Sequence, residues 1–284
     1  MDLGCEDGVQ VVPASTLLGE PFALEMPQEI GAPMRFEPHQ TPRPPPWGQA
    51  TRVSHTWLQD LAASEDFPPR LLTQLAQASL ESSDAVLALV RQWQQQGHDL
   101  PAIYLHAITP CARGLGQGWC LDELDFAQVT LGSAHLHRAL HLLSEEFCAP
   151  GLRQPKGLSV LLATEPQAQH TMGAFMLGEF FRREGWRVQS LTPHECDDVR
   201  VQLARDWFDA VGLSISTTRH LTALQGLIPQ LRAESPNPGL RVMAGGPMAW
   251  QHSESLLGLG VDLLGGAADE TVRQLSQMTL TQKS

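Results

Sequence analysis

The spacing of apolar residues divides the chain into three parts. Residues 57–154 have helical periodicity, and the clearest apolar stripe runs from Phe126 to Phe147 in steps of three and four. Ser82-Ser83-Asp84 is a helix start signal, and Gly97 is a stop signal. The pattern predicts a small bundle of about four helices, in which Pro110 kinks or ends its helix.

Residues 155–284 show a different pattern, in which short apolar runs alternate with amphipathic stretches. This alternation predicts an α/β fold, a flavodoxin-like or Rossmann-like domain with a five-stranded parallel sheet that is covered on both faces. Each strand but the last is followed by a predicted helix. The predicted strands are Leu158–Ala163, Arg187–Leu191, Ala210–Ile215, Arg241–Ala244 and Val261–Leu264.

Residues 1–56 hold 9 of the 21 prolines and lack sustained periodicity, which predicts a mostly disordered arm without an assigned role. The whole chain has a net charge of −12 and no basic block, which disfavours direct binding to nucleic acid. The sequence contains no apolar run long enough to span a membrane and no signal-peptide pattern. Its cysteines are scattered, without a Cys-x-x-Cys pair. These features favour a cytoplasmic protein.

Residues with chemical potential follow the ends of several predicted strands. His170 and Gly173 lie after the first strand, residues 214–218 form a small polar run after the third, and Gly245-Gly246 follow the fourth. Because the carboxyl ends of parallel strands meet at one edge of a sheet, these residues should lie close together. The combination suits a large ligand that carries a metal and a slender part. The imidazole could coordinate the metal, and the slender part could enter the gap beside the glycines.

The same residues resemble the signature of the cobalamin-binding domain found in methionine synthase, corrinoid methyltransferase proteins and light-sensing regulators. That signature is Asp-x-His-x-x-Gly, then Ser-x-Leu, then Gly-Gly. This chain has Ala168-x-His170-x-x-Gly173, Ser214-Ile215-Ser216 and Gly245-Gly246 in the corresponding places.

The resemblance implies a role for each matching residue. His170 would be the lower axial cobalt ligand, in place of the cofactor's own dimethylbenzimidazole. Ser214 would hydrogen-bond the displaced base, and Gly245-Gly246 would line its channel. Gly173, Ser216 and Thr218 complete the implied cofactor site.

Two positions depart from the family pattern. Ala168 replaces the carboxylate that orients the metal-bound imidazole, and Glu165 is near enough in sequence to fold back toward His170. The loss of this carboxylate disfavours rapid methyl-transfer cycling at the cobalt. The second departure, Ser216 in place of Leu, exchanges an apolar for a polar side chain.

In this family, a helical bundle covers the upper face of the cofactor. The segment from Gly114 to Cys120 resembles the stretch of CarH-type photoreceptors in which a tryptophan lies over the upper ligand, which assigns Trp119 to that face. The alternative is a core indole. Val129 and Thr130 replace the Glu-His pair that recognises adenosyl in CarH-type proteins, so adenosyl, methyl and hydroxo upper ligands all stay open.

His137 and His141 lie four residues apart on one helical face. They are either a potential metal-binding pair or part of a solvated or half-buried face.

A bundle and a cobalamin domain without a DNA-binding domain or a methyltransferase barrel are similar to the AerR/PpaA type of photosynthesis antirepressor. This resemblance implies a regulator rather than an enzyme, which binds cobalamin, senses light or redox state, and acts on a transcription repressor of the PpsR/CrtJ type. One alternative is a corrinoid carrier of a methyltransferase system. Another is a flavodoxin-like domain for a different nucleotide, although the chain lacks the usual phosphate loops.

Overall fold

The computed structural model describes Ser64, residues 66–166, Ala168, residues 171–195 and residues 197–283. The predicted disordered arm and His170 lie outside the described residues. Within them, each helix is too short or too polar to cross a membrane.

Four helical segments precede the first strand of the described chain. They are α1 (Pro69–Glu81), α2 (Ser83–Gln95), a composite segment formed by α3 (Leu100–Ile103), a π-helical turn (Tyr104–Ile108) and α4 (Thr109–Cys120), and the long α5 (Phe126–Arg153). The side chain of Ser82 accepts a hydrogen bond from the Ala85 amide and caps α2. Asp125 and Gln128 form a capping box at the start of α5.

Of the two outcomes predicted at Pro110, a kinked helix or an ended one, the structure excludes the second, because the helix continues past the proline. Proline has no amide hydrogen and its ring crowds the preceding turn. The backbone meets both constraints by widening into the π-helical turn, where the Thr109 amide and hydroxyl both donate to the Tyr104 carbonyl. The helix then continues to Cys120, so the segment around Trp119 is helical.

A five-stranded parallel sheet follows the bundle, in the order β2-β1-β3-β4-β5. The predicted α/β class and the parallel five-stranded sheet are confirmed. Its elements are β1 (Ser159–Ala163), α6 (Met172–Arg183), β2 (Arg187–Leu191), α7 (Asp197–Arg205), β3 (Ala210–Ser214), α8 (Thr218–Glu234), β4 (Arg241–Gly245), α9 (Pro247–Gln251), α10 (Ser253–Gly258), β5 (Leu263–Leu264) and α11 (Ala268–Lys283).

The two faces of the sheet contribute to two different cores. Leu162, Ala210 and Met243 belong to the core that also contains the buried residues of the bundle, while Val211 and Val242 belong to the core on the opposite face. Because successive side chains of a strand point to opposite faces, both faces are apolar and the strands appear as continuous hydrophobic runs in the sequence.

Helix α11 was not predicted, because the last strand was expected to end the fold. Its buried side includes the hydroxyl residues Thr271, Ser276 and Thr279 beside Val272 and Leu275, which weakens the apolar periodicity. The Trp186 indole donates to the Ser276 hydroxyl at 3.0 Å. Packing of α11 beside α6 therefore depends in part on a polar contact that periodicity does not reveal.

The contact between α5 and α6 generates a stability prediction. A Cβ atom at Gly151 would lie 1.8 Å from the carbonyl oxygen of Arg182, so Gly151→Ala requires the two helices to separate. We expect a loss of about 3 kcal/mol in the free energy of unfolding, the upper end for overpacked sites. Gly226→Ala is the matched control, because a Cβ there meets no described atom within 4 Å and should stabilise α8 by about 0.5–1 kcal/mol. Equal urea midpoints for the two variants would contradict this packing.

Candidate functional site

A cavity of about 510 Å³ opens at the carboxyl edge of the sheet, between the sheet and the bundle. Pockets for small-molecule ligands usually measure about 300–1,000 Å³. The strands contribute Leu162, Gly212, Ser214, Met243 and Gly245, and the bundle contributes Leu105, His106, Thr109 and Arg113. Two parts of the fold that are separate in sequence therefore meet at one ligand-sized space.

Glycine residues give this cavity its depth. A Cβ atom at Gly212 would lie 2.4 Å from Met243 Cε and 2.7 Å from Leu162 Cδ2, so a side chain there would displace its neighbours on the sheet. Cβ atoms at Gly173 and Gly245 would meet nothing within 4 Å among the described atoms. Gly173 at the start of α6 and Gly245 at the end of β4 therefore leave a slot that larger residues would fill.

The loop after β4 needs a glycine for a different reason. Gly246 has φ +99°, and a Cβ atom there would lie 2.5 Å from the carbonyl oxygen of Ile215. The Ile215 amide donates to the Gly245 carbonyl at 2.8 Å, and the Met248 amide donates to the Ile215 carbonyl at 3.2 Å. Close backbone contact between the loops after β3 and β4 thus shapes one wall of the slot.

The loop after β5 is held from two sides. The Trp250 indole donates to the Gly265 carbonyl at 2.9 Å, and the Gly266 amide donates to the Thr271 hydroxyl at 3.0 Å. Gly265 and Gly266 both line the cavity. These contacts give the glycine loop a defined position although it has no side chains of its own.

The bundle side of the cavity was missed by the sequence analysis. His106 lies exposed in the π-helical turn, and Arg113 follows one turn after Thr109. The Thr109 hydroxyl lies 3.2 Å from the Met176 sulfur of α6, so the bundle touches the sheet domain within the cavity wall. The signal that could have identified this region is Pro110, because a proline inside a helix often marks a local distortion.

The structure brings together several of the residues predicted for the cofactor site. Gly173, Ser214, Gly245 and Gly246 line the cavity. Their contacts with a cofactor, like the role of His170, stay predictions. Space beside Gly245 and the Ser214 hydroxyl fit the slender nucleotide tail implied by the resemblance, and His170 would then hold the cobalt.

Three predicted residues do not line the cavity. Ser216 and Thr218 lie just beyond the end of β3, outside its wall. Trp119 is 52% exposed and packs edge-to-face against Phe126, with the ring centroids 6.4 Å apart. The structure thus places this indole neither in the cavity wall nor in the core, and its predicted position over the upper ligand stays a prediction.

Glu165 connects the loops after β1 and β3. Its Oε1 atom accepts hydrogen bonds from the Ser216 amide at 2.7 Å, the Thr217 amide at 2.6 Å and the Thr217 hydroxyl at 3.2 Å. Its backbone carbonyl accepts from the Ala168 amide at 3.1 Å. The sequence suggested that this carboxylate could turn toward His170, and the structure directs Oε1 to the neighbouring loop.

His137 and His141 pack against Phe175 of α6, with ring centroids 5.3 and 4.1 Å from its ring. Burial, together with the nearby His141, lowers the pKa of His137. The described residues contain no group of three or more metal-ligating side chains, and neither histidine lines the cavity. The pair therefore belongs to the contact between bundle and sheet domain, as a half-buried histidine beside an exposed one.

Comparisons with known proteins agree with this arrangement. Residues 158–276, which contain all five strands, match the family model of the B12 binding domain. Over 159 residues, the chain is 30% identical to the "uncharacterized 20.5 kDa protein in bchF-crtJ intergenic region" of Rhodobacter capsulatus; the match covers 56% of this chain and 82% of that protein. The monomethylamine corrinoid protein of Methanosarcina barkeri has the same fold, with a TM-score of 0.62 and 14% identity over 73% of this chain and 96% of that chain.

The family match covers the sheet and its edge, and the relative extends the similarity over more than half of the chain. Cobalamin is accordingly the cofactor of this domain. The chain belongs to the family of B12-binding-domain proteins.

Proposed function

We propose that the chain is a cobalamin-dependent regulator that responds to light or redox state and relieves repression by a PpsR/CrtJ-type repressor of photosynthesis genes. The observation that carries this proposal is the 30% identity to a protein from the bchF-crtJ intergenic region. A gene beside crtJ is in a suitable place to encode a partner of the crtJ product. This role makes the chain a cytoplasmic binding protein rather than an enzyme.

The cavity supports such a role because its wall comes from two parts of the fold. Bound cobalamin would supply a cobalt centre whose ligands respond to light or to reduction. His106 and Arg113 reach the cavity from the bundle, while Ser214 and Gly245 reach it from the sheet. A change in what His106 or Arg113 contacts would therefore act on the packing of the bundle against the sheet domain.

The effect that such a switch requires can be stated as a free-energy difference. Moving a population from 1:99 to 99:1 takes a difference of about 5.5 kcal/mol between the two arrangements. A contact made in only one arrangement can supply this difference, because a ligand shifts an equilibrium only by its differential affinity. The exposed surface of the bundle would then present different side chains to the repressor in each state.

A corrinoid carrier of a methyltransferase system is the alternative function. Its support is the fold that the chain shares with the monomethylamine corrinoid protein. Against it stands Ala168, where carriers have a carboxylate that orients the imidazole. A carrier would accept a methyl group on the reduced cofactor from a methyltransferase subunit, which the proposed regulator would not do.

The regulatory proposal predicts a light-dependent affinity. Purified protein loaded with cobalamin should bind a PpsR/CrtJ-type repressor with at least about tenfold different affinities in the dark and after illumination, equivalent to about 1.4 kcal/mol. The affinity can be measured by passing the loaded protein over surface-immobilised repressor, with unloaded protein as the control. Equal affinity under all these conditions would remove the support for a cobalamin-linked switch.

The cavity assignment makes a second prediction. In Gly245→Leu, the new side chain would occupy open space at the end of β4, so the fold should persist while cobalamin binding weakens at least about tenfold. Gly258→Leu is the matched control, because its Cβ also meets no described atom within 4 Å but Gly258 lies outside the cavity wall. Titration of hydroxocobalamin against both variants tests the assignment, which fails if Gly245→Leu binds as the unchanged protein does.

A further inference from the structure

The Glu165 carboxylate occupies an unusual place for a charged group. The residue is only 8% exposed, yet its Oε1 atom accepts three hydrogen bonds from one loop on the neighbouring strand. A buried carboxylate is costly unless it is well hydrogen-bonded. The two backbone donors, Ser216 and Thr217, immediately precede α8, where a negative charge is also favoured by the helix dipole.

These contacts hold the loop after β3 on the side that faces β1. On its other side, the same loop is held by backbone hydrogen bonds between Ile215 and the loop after β4. Ser214, which precedes this doubly held segment, lines the cavity. In the sequence, Glu165 precedes His170, the predicted cobalt ligand, by five residues. One carboxylate therefore fixes the spacing between the segment that directly follows β1 and a wall of the slot.

We propose that Glu165 is a positioning residue for the nucleotide tail of cobalamin. Its carboxylate keeps the loop from Ser214 to Thr217 in place before the cofactor arrives, so the slot is preformed and the tail enters without ordering the loop. The inference rests on cobalamin binding and not on the proposed regulatory function. It predicts selective loss of tail recognition when the carboxylate is removed.

The experiment compares two probes that share a corrin ring. Hydroxocobalamin carries the nucleotide tail, and cobinamide lacks it. In Glu165→Ala, hydroxocobalamin affinity should fall about tenfold, since three hydrogen bonds to a charged acceptor are lost, while cobinamide affinity should stay within about twofold. Glu165→Gln keeps an acceptor oxygen without the charge, so its cobalamin-to-cobinamide affinity ratio should lie between those of the unchanged protein and Glu165→Ala.

Asp262→Ala provides a matched loss of a carboxylate. Asp262 accepts hydrogen bonds from the Val242 amide at 2.7 Å, from Arg232 at 2.5 Å and from Arg241 at 3.3 Å, all outside the cavity wall. Asp262→Ala should lower the urea midpoint but leave the cobalamin-to-cobinamide affinity ratio unchanged. An equal loss for both probes in Glu165→Ala, or no loss for either, would overturn the proposal. If Glu165→Ala does not fold, the ratio for Glu165→Gln decides, and a ratio equal to that of the unchanged protein overturns it.

Discussion

The cavity of this protein depends on glycine residues at the carboxyl edge of the sheet. Gly245 ends β4, and a Cβ atom there would meet no described atom within 4 Å. Gly212 and Gly246 instead allow close packing, Gly212 with the Met243 and Leu162 side chains and Gly246 with the Ile215 backbone. The bundle packs beside this cavity without filling it, because Thr109 and Met176 make the contact at its margin. A space of about 510 Å³ thus persists between two well-packed cores.

The small residues at this edge have a cost in stability, because the atoms around a cavity lose the dispersion contacts that larger side chains would make. The loops at its edge compensate with hydrogen bonds: Glu165 to Thr217, Trp250 to Gly265, and Gly266 to Thr271. They fix the shape of the slot before the cofactor is bound, and a preformed site lowers the entropic cost of binding. The cofactor then adds stability by binding only the folded chain.

Much of the fold could be predicted from the sequence because a parallel sheet buries both faces. Apolar runs such as Ala210–Ser214 stand out against their polar flanks, and the glycines after them are visible in the printed sequence. Helix α11 could not be found in this way because hydroxyl residues share its buried side. The sequence did not decide between a kink and an end at Pro110, because a change to π-helical hydrogen bonding accommodates the proline.

The sequence predicted the cavity residues that lie at strand ends. It did not predict those that reach the cavity only through packing between distant elements. Ser214 and Gly245 are at strand ends, so topology alone brings them together. His106 and Arg113 reach the cavity only because the bundle docks against α6, and no local pattern encodes that docking. Ser216, one of the hydrogen-bond partners of Glu165, likewise lies in the loop after another strand, 51 residues further along the chain.

We propose that a protein imidazole would coordinate the cobalt of the bound cofactor, while the cofactor's own base would lie in the slot. Electron paramagnetic resonance of the bound cofactor in its cobalt(II) state measures this directly. With protein grown on ¹⁵N-histidine and unlabelled cobalamin, the account predicts that the nitrogen splitting of the cobalt lines changes from triplets to doublets. Triplets that persist in the labelled protein would show that the cofactor's own base remains coordinated, and would contradict the account.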